Sequence, residues 1–334
     1  MPEYAPSAPH HSSAGDRSAW FADRFRLVAD SVQDVIRGKP DVVALALVCM
    51  FAEGHLLLED VPGVGKTSLA RAIASTIDAS WHRIQFTPDL LPSDVTGVSI
   101  WNQGTREFEF HPGPVFANVV LADEINRASP KTQSALLEVM EERQVTVESA
   151  SRAVPRPFMV IATQNPVDMD GTYRLPEAQL DRFLLRASVG YPSHAAEIEV
   201  LDGQQGGRSP LDQVTPVLSI DDVRLMTRVA NEVYVAPAVR SYLVTLVAGT
   251  RELPEVRLGA SPRGSLALMR ACRARAAADG RDYVVPEDAK ALAAAVLAHR
   301  MLLQPQAELQ GVTTQQLIDA VVEKVPTPQA AGRA

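Results

Sequence analysis

Apolar positions change their spacing along the chain, and each change marks a different kind of element. From Trp20 to about Arg37, the residues Phe21, Phe25, Val28, Val32 and Ile36 recur at three and four residues, one face of a helix. Asp41 is placed to cap a second helix running through Phe51. Five short apolar runs then have the length and make-up of buried strands: His55–Glu59, Arg83–Phe86, Val119–Asp123, Phe158–Thr163 and Phe183–Val189. Helical patterns lie between several of them. One covers Thr67–Ile77. Another follows Ser129-Pro130, a serine cap with proline at the first helical position, and its face is Ala135, Leu136, Val139 and Met140. Strands alternating with helices predict an α/β domain with a parallel five-stranded sheet covered on both sides.

The pattern breaks twice. Between the second and third strands, Thr87–Gly113 is long for a connection and holds strand-like pieces at Val98–Trp101 and Glu107–Phe110, which predicts an inserted hairpin. After Tyr191-Pro192 only helical patterns remain: His194–Gly203, Ile220–Val233, Pro237–Thr250, Pro262–Ala278, Pro286–His299 and a less regular Thr313–Glu323. Gly203–Pro210 reads as a flexible stretch among them. The expected organisation is a disordered tail over 1–18, an α/β domain over 19–191 with its insert at about 87–113, a smaller helical domain over 192–325, and a tail over 326–334.

Composition narrows the classes. Hydrophobic residues are 46% of the 334 and charged residues 22%, which suits a globular chain and not a disordered one. The net charge of −8 argues against a general nucleic-acid binder. Cys49 and Cys272 both sit in apolar stretches and offer neither metal spacing nor a disulfide framework, so they read as buried thiols in a reducing compartment. The longest apolar run, Val42 to Ala52, is well short of the ~20 residues that span a bilayer, and the N-terminus lacks the apolar core of a signal peptide. A soluble, cytoplasmic protein is expected.

Chemistry is concentrated at strand ends. Pro62-Gly63-Val64-Gly65-Lys66-Thr67-Ser68 lies between the first strand and the helix after it, where a phosphate-binding loop has to be. Glycines let backbone N–H groups turn around an anion, and the helix N-terminus adds positive potential. Lys66 would reach the β- and γ-phosphates and Thr67 would ligate Mg²⁺. The full pattern asks for glycine at position 60, where this chain has Asp60. Val119–Glu124 is an apolar run that ends in two acids. Asp123 would hold Mg²⁺ through Thr67, and Glu124 would act as general base toward water. Asn165 follows the fourth strand and either binds water or γ-phosphate or is simply the first residue of an Asn-Pro turn. Arg182 and Arg263 are candidates to stabilise phosphoryl-transfer charge, although either alone reads as well as a surface ion pair.

Taken together, these residues resemble the MoxR family of AAA+ ATPases, from about Phe25 to Leu303. The most specific piece is GPVFANVVLADEINRASPKTQSALLEVMEERQVTV, Gly113 to Val147, followed by FMVIATQNP, by GTYRLPEAQLDRF and by GASPRGSLALMRACRARAAADGRDYVVPEDAKALA. The resemblance implies a P-loop αβα sandwich with a helical lid. Lys66 and Thr67 match Walker A, Asp123 and Glu124 match Walker B, and Asn165 matches sensor 1. Arg182 matches an arginine finger acting in trans, and Arg263 matches sensor 2, expected to reach the γ-phosphate of its own subunit from the lid. Val35, Ile36 and Gly38 lie where the family packs the adenine. Thr87–Gly113 matches the helix-2 insert, and Arg127 is a further candidate for the subunit interface. A trans arginine implies a hexameric ring. The resemblance also implies Mg-ATP hydrolysis and chaperone-like work on a client protein with a von Willebrand factor A-domain partner. A nucleic-acid motor, a nucleotide-gated scaffold and a chelatase-like metal-insertion subunit are the rival readings.

Overall fold

The computed structural model describes residues 14–60, 63–148, 150–165, 173, 175–202 and 210–328. The chain opens with α1 (Ala14–Gln33) and α2 (Pro40–Phe51). The α/β part follows as β1 (Leu56–Glu59), α3 (Lys66–Thr76), β2 (Trp81–Gln85), α4 (Pro92–Thr96), β3 (Gly97–Asn102), β4 (Glu107–Pro112), β5 (Val119–Asp123), α5 (Pro130–Glu142), β6 (Gln144–Val147), β7 (Ala150–Ala153), β8 (Met159–Gln164), α6 (Glu177–Leu180) and β9 (Leu185–Ala187). The rest is mainly helical: α7 (His194–Asp202), α8 (Ile220–Glu232), α9 (Pro237–Gly249), β10 (Val256–Leu258), α10 (Pro262–Ala278), α11 (Pro286–Leu297), β11 (Leu302–Leu303), α12 (Pro305–Leu309) and α13 (Thr314–Lys324).

The sheet order is β2-β5-β8-β1-β9, and every neighbouring pair in it is parallel. All five expected strands are in it. Leu56, Leu57 and Leu58 are fully buried. Side chains alternate across a strand, so Leu56 and Leu58 join one apolar cluster and Leu57 joins the other. Layers on both faces explain why these strands read as continuous apolar runs.

The first cluster continues without a break into the helical domain. It holds Phe21, Val28, Leu47 and Ile73 beside Met226, Leu268, Leu292 and Val296. α10 is the pivot, packed against α1, α2, α8, α9 and α11. The lid is therefore docked on the N-terminal helices.

The inserted hairpin is present as β3 paired antiparallel to β4. Gly97 sits at φ +97°, and a Cβ there would collide with the His111 carbonyl oxygen. Two expectations are corrected. The N-terminal helix starts at Ala14, inside the stretch read as tail: Ser18 is buried and Arg17 pairs with Glu232 at 3.0 Å. A second hairpin, β6 with β7, was not foreseen. It leans on the first one through Arg152, whose guanidinium carbon lies 4.3 Å from the Phe110 ring centre. Residues 1–13 and 329–334, with most of Gly203–Pro210, lie outside the described residues.

Candidate active site

In a parallel sheet, loops leaving the same end of neighbouring strands converge. The chain leaves β1, β5 and β8 side by side, and the loops there line one cleft of about 390 Å³: Gly63, Gly65, Lys66, Thr67, Ser68, Arg83, Gln85, Asp123, Glu124 and Asn165. The expected phosphate loop, acid pair and Asn165 are thus brought together. Pro62 lies outside the described residues. Val64 packs against the apolar cluster that includes Ile36 and Val35. Gly38 turns the chain between α1 and α2 at φ +70°, and none of Val35, Ile36 and Gly38 lines this cleft.

Gly65 has φ +92° and caps α3, and where its Cβ would be there is open space. Gly63 has φ +86° and the same openness. This is a bare backbone concavity at a helix N-terminus, which suits an anion. Lys66 Nζ donates to the Asp60 carbonyl at 2.9 Å. Asp60 has no left-handed backbone, so glycine is not required there. Its carboxylate instead accepts from Ser188 Oγ at 3.0 Å and from the Gly190 N–H at 2.7 Å, tying the loop to the end of β9.

The acid pair is held by groups the sequence reading did not single out. Thr163 on β8 donates its hydroxyl to Asp123 Oδ1 at 2.6 Å, and its own Oγ1 accepts the Glu124 N–H at 2.8 Å. Glu124 has φ +55°, a left-handed conformation rare for a side chain of this kind and a sign of local strain at a site. Arg83 on β2 reaches Asp123 Oδ2 at 2.6 Å, and Gln85 donates to Glu124 Oε2 at 3.0 Å. Arg127 also binds Glu124 Oε2 at 3.0 Å, within its own chain. Alternation of Arg83 and Gln85 on one face of β2, next to β5, is the signal that could have found them.

Arg182 and Arg263 are elsewhere. They line a second recess, of about 300 Å³, with Glu53, Gly54, His55, Met140, Glu141, Arg143, Asp181, Leu184, Leu266, Ala267, Arg270 and Arg300. His55 and Leu184 mark the start of β1 and β9, so the recess opens at the opposite end of the sheet, about 13 Å away along a four-residue strand. Both arginines pair with Glu141: Arg182 Nε lies 3.1 Å from Oε2 and Arg263 Nη2 lies 3.2 Å from Oε1. The expectation that Arg263 reaches its own subunit's phosphate loop is therefore not met. The reason is the docking of α10, which carries Arg263 to the foot of the sheet. Asp181 is occupied by Arg300 Nη1 at 2.6 Å and by Ser261 Oγ at 3.3 Å, so it is not the partner of Arg182.

His55 is the buried neutral group beneath this recess. Its Nδ1 accepts the Val160 N–H at 3.0 Å, so Nε2 carries the proton and donates to the Met140 carbonyl at 3.1 Å. Burial, with Arg143 nearby, pushes its pKa from 6.5 down to about 3. His299, buried and donating toward the Phe183 carbonyl at 3.0 Å, is likewise held well below its ordinary value by burial.

A parallel sheet in this order, a glycine loop facing an acid pair, and an attached helical domain define the class: an AAA+ ATPase. The family model described as ATPase family associated with various cellular activities (AAA) matches residues 55–185, and an AAA lid domain matches residues 248–321. The chain is 49% identical over 313 residues to YeaC, an uncharacterized protein of Bacillus subtilis, covering 93% of this chain and 98% of that one. It is 42% identical over 308 residues to Chaperone MoxR1 of Mycobacterium tuberculosis, covering 89% and 81%. A crystal structure from Cytophaga hutchinsonii, described as a candidate ATPase, superposes with a TM-score of 0.88 at 40% identity and covers 95% of this chain and 98% of that one. The chain belongs to the MoxR family of AAA+ ATPases. Among the described residues, no helix is long and apolar enough to cross a membrane.

Proposed function

We propose that this chain hydrolyses Mg-ATP in a site completed by a neighbouring copy, and uses the resulting motion for chaperone-like maturation of a client protein. The observation that carries the reading is the convergence of Lys66, Thr67, Asp123, Glu124 and Asn165 on one cleft, with Arg182 and Arg263 at the far end of the same strands. An arginine that stabilises phosphoryl transfer from there has to serve another subunit's nucleotide, which supports a closed ring, with six subunits expected for this family.

The loop N–H groups and Lys66 bind the β- and γ-phosphates, Lys66 exchanging the Asp60 carbonyl for phosphate. Val35, Ile36 and Gly38 flank the adenine. Thr67 and Asp123 offer hard oxygen donors of the kind Mg²⁺ prefers, and the bound ion would neutralise charge on the phosphate oxygens. Thr163 keeps Asp123 and Glu124 in fixed orientation. Glu124, held by Gln85 and Arg127 through one oxygen, takes the proton of the attacking water, and Asn165 orients that water. Arg182 and Arg263 of the neighbour meet the charge that develops on the γ-phosphoryl group.

The chaperone reading rests on the likeness to Chaperone MoxR1. A von Willebrand factor A-domain protein is the expected partner, a protein client the expected target, and the cytoplasm the expected compartment. The net charge of −8 supports this reading over a nucleic-acid motor.

Mixing variants tests the composite site. Arg182→Ala subunits keep their own cleft, and Glu124→Gln subunits keep their arginines. Each alone is expected to be inactive, and mixed rings are expected to regain turnover. No recovery at any ratio would refute the trans reading.

A further inference from the structure

Glu141 belongs to the arginine recess but has no part in the chemistry above. It stands at the next-to-last position of α5 and takes one arginine on each carboxylate oxygen. The two arginines come from separate parts of the fold, Arg182 from the loop before β9 and Arg263 from the first turn of α10. The second of these places does not favour a cation. The recess sets five guanidiniums against three carboxylates, and Arg263 sits at the positive end of the α10 dipole. Removing Glu141 would leave Arg263 facing like charges and free to turn toward solvent, and would leave Arg182 to the carboxylates of Glu138 and Glu142 on its other side, so the two arginines would part.

The grip is also sparing. Arg182 commits only Nε to Glu141, and Arg263 commits one terminal nitrogen. Among the described residues the remaining guanidinium nitrogens of both have no other partner, which leaves a pair of forks suited to a phosphate. Glu141 is 38% exposed and Arg263 61%. Ion pairs this open add little to stability, so what the arrangement supplies is position.

Resting on the reading that these arginines complete a neighbour's ATP site, we propose that Glu141 is a positioning residue. It holds Arg182 and Arg263 side by side for the γ-phosphate of the adjacent subunit and ties the lid to the loop that carries Arg182. It touches neither the nucleotide of its own cleft nor the attacking water.

The test is made in full-length mixed rings. Glu141→Gln in otherwise unaltered chains is expected to lower kcat about tenfold, far less than the 10³–10⁵ attached to an arginine finger, with KM for ATP and the melting temperature unchanged. Glu141→Asp should restore part of the loss. The decisive readout is which subunit carries the change. Placed on the Glu124→Gln subunit that donates arginines, Glu141→Gln should suppress recovery of the mixture. Placed on the Arg182→Ala subunit that supplies the working cleft, it should leave recovery intact. Equal suppression from either side, a rise in KM alone, or an undiminished kcat would overturn the proposal. Failure of the parent mixture to recover would instead reject the composite site beneath it.

Discussion

Acid should weaken this fold through His55, and the size of the effect follows from its hydrogen bonds. The ring is buried, accepts the Val160 N–H on Nδ1 and donates from Nε2 to the Met140 carbonyl. A second proton would go onto Nδ1, directly against an N–H donor, so the folded protein resists it. The unfolded chain takes that proton near pH 6.5, whereas the folded chain waits until about 3. The stability His55 supports is complete above pH 6.5 and is lost as pH falls toward 3. The slope is about 1.4 kcal/mol per pH unit, which gives about 2 kcal/mol by pH 5. Urea unfolding followed by circular dichroism at pH 7, 6 and 5 measures this. His55→Gln keeps a donor and an acceptor but cannot titrate. Between pH 7 and 5 the unaltered protein should lose about 2 kcal/mol more than the variant. Parallel pH dependence in the two proteins would show that His55 does not set the acid sensitivity. His299 is present in both and cancels.

Two further variants probe the elements around the site. Arg300→Ala removes the buried partner of Asp181 and a hydrogen bond to the Phe183 carbonyl. It should cost about 3–5 kcal/mol in the same unfolding assay, and a loss under 1 kcal/mol would show that the pair is dispensable. Thr163→Val keeps the shape of the side chain but removes the hydroxyl that links Asp123 to the Glu124 N–H. Turnover should fall about 10–100-fold, with a stability loss of about 1–3 kcal/mol from the Glu124 N–H left without its acceptor, and unaltered kcat would show that the acids hold their positions without it.

The inner strands were legible because sandwiching between two layers makes them apolar, as at Leu56–Leu58 and Val119–Ala122, whereas the edge strand β2 is largely polar and half-exposed. The cleft was legible because its groups sit at strand ends in a fixed chain order. β6 and β7 were not, since Gln144–Val147 and Ala150–Ala153 are largely polar or small and lie partly exposed. The start of α1 was hidden by small polar residues whose helix is stabilised by tertiary packing, as at the buried Ser18. Thr163 and Arg83 each lie 40 residues from Asp123, and only the parallel register brings them to it. Arg263 shows the limit most plainly. Its place at the start of a helix was readable, but which end of the sheet that helix faces depends on how α10 packs against α1 and α2.

Hydrolysis of Mg-ATP with Glu124 as base is the reaction proposed for the cleft. Phosphate release and nucleotide binding, measured side by side on the unaltered chain and on Glu124→Gln, test it most directly. Steady turnover is expected from the first, and from the second retained nucleotide with turnover down at least about 10²-fold. Turnover in Glu124→Gln equal to that of the unaltered protein would contradict it, as would the absence of phosphate release from the unaltered chain at every concentration that permits assembly.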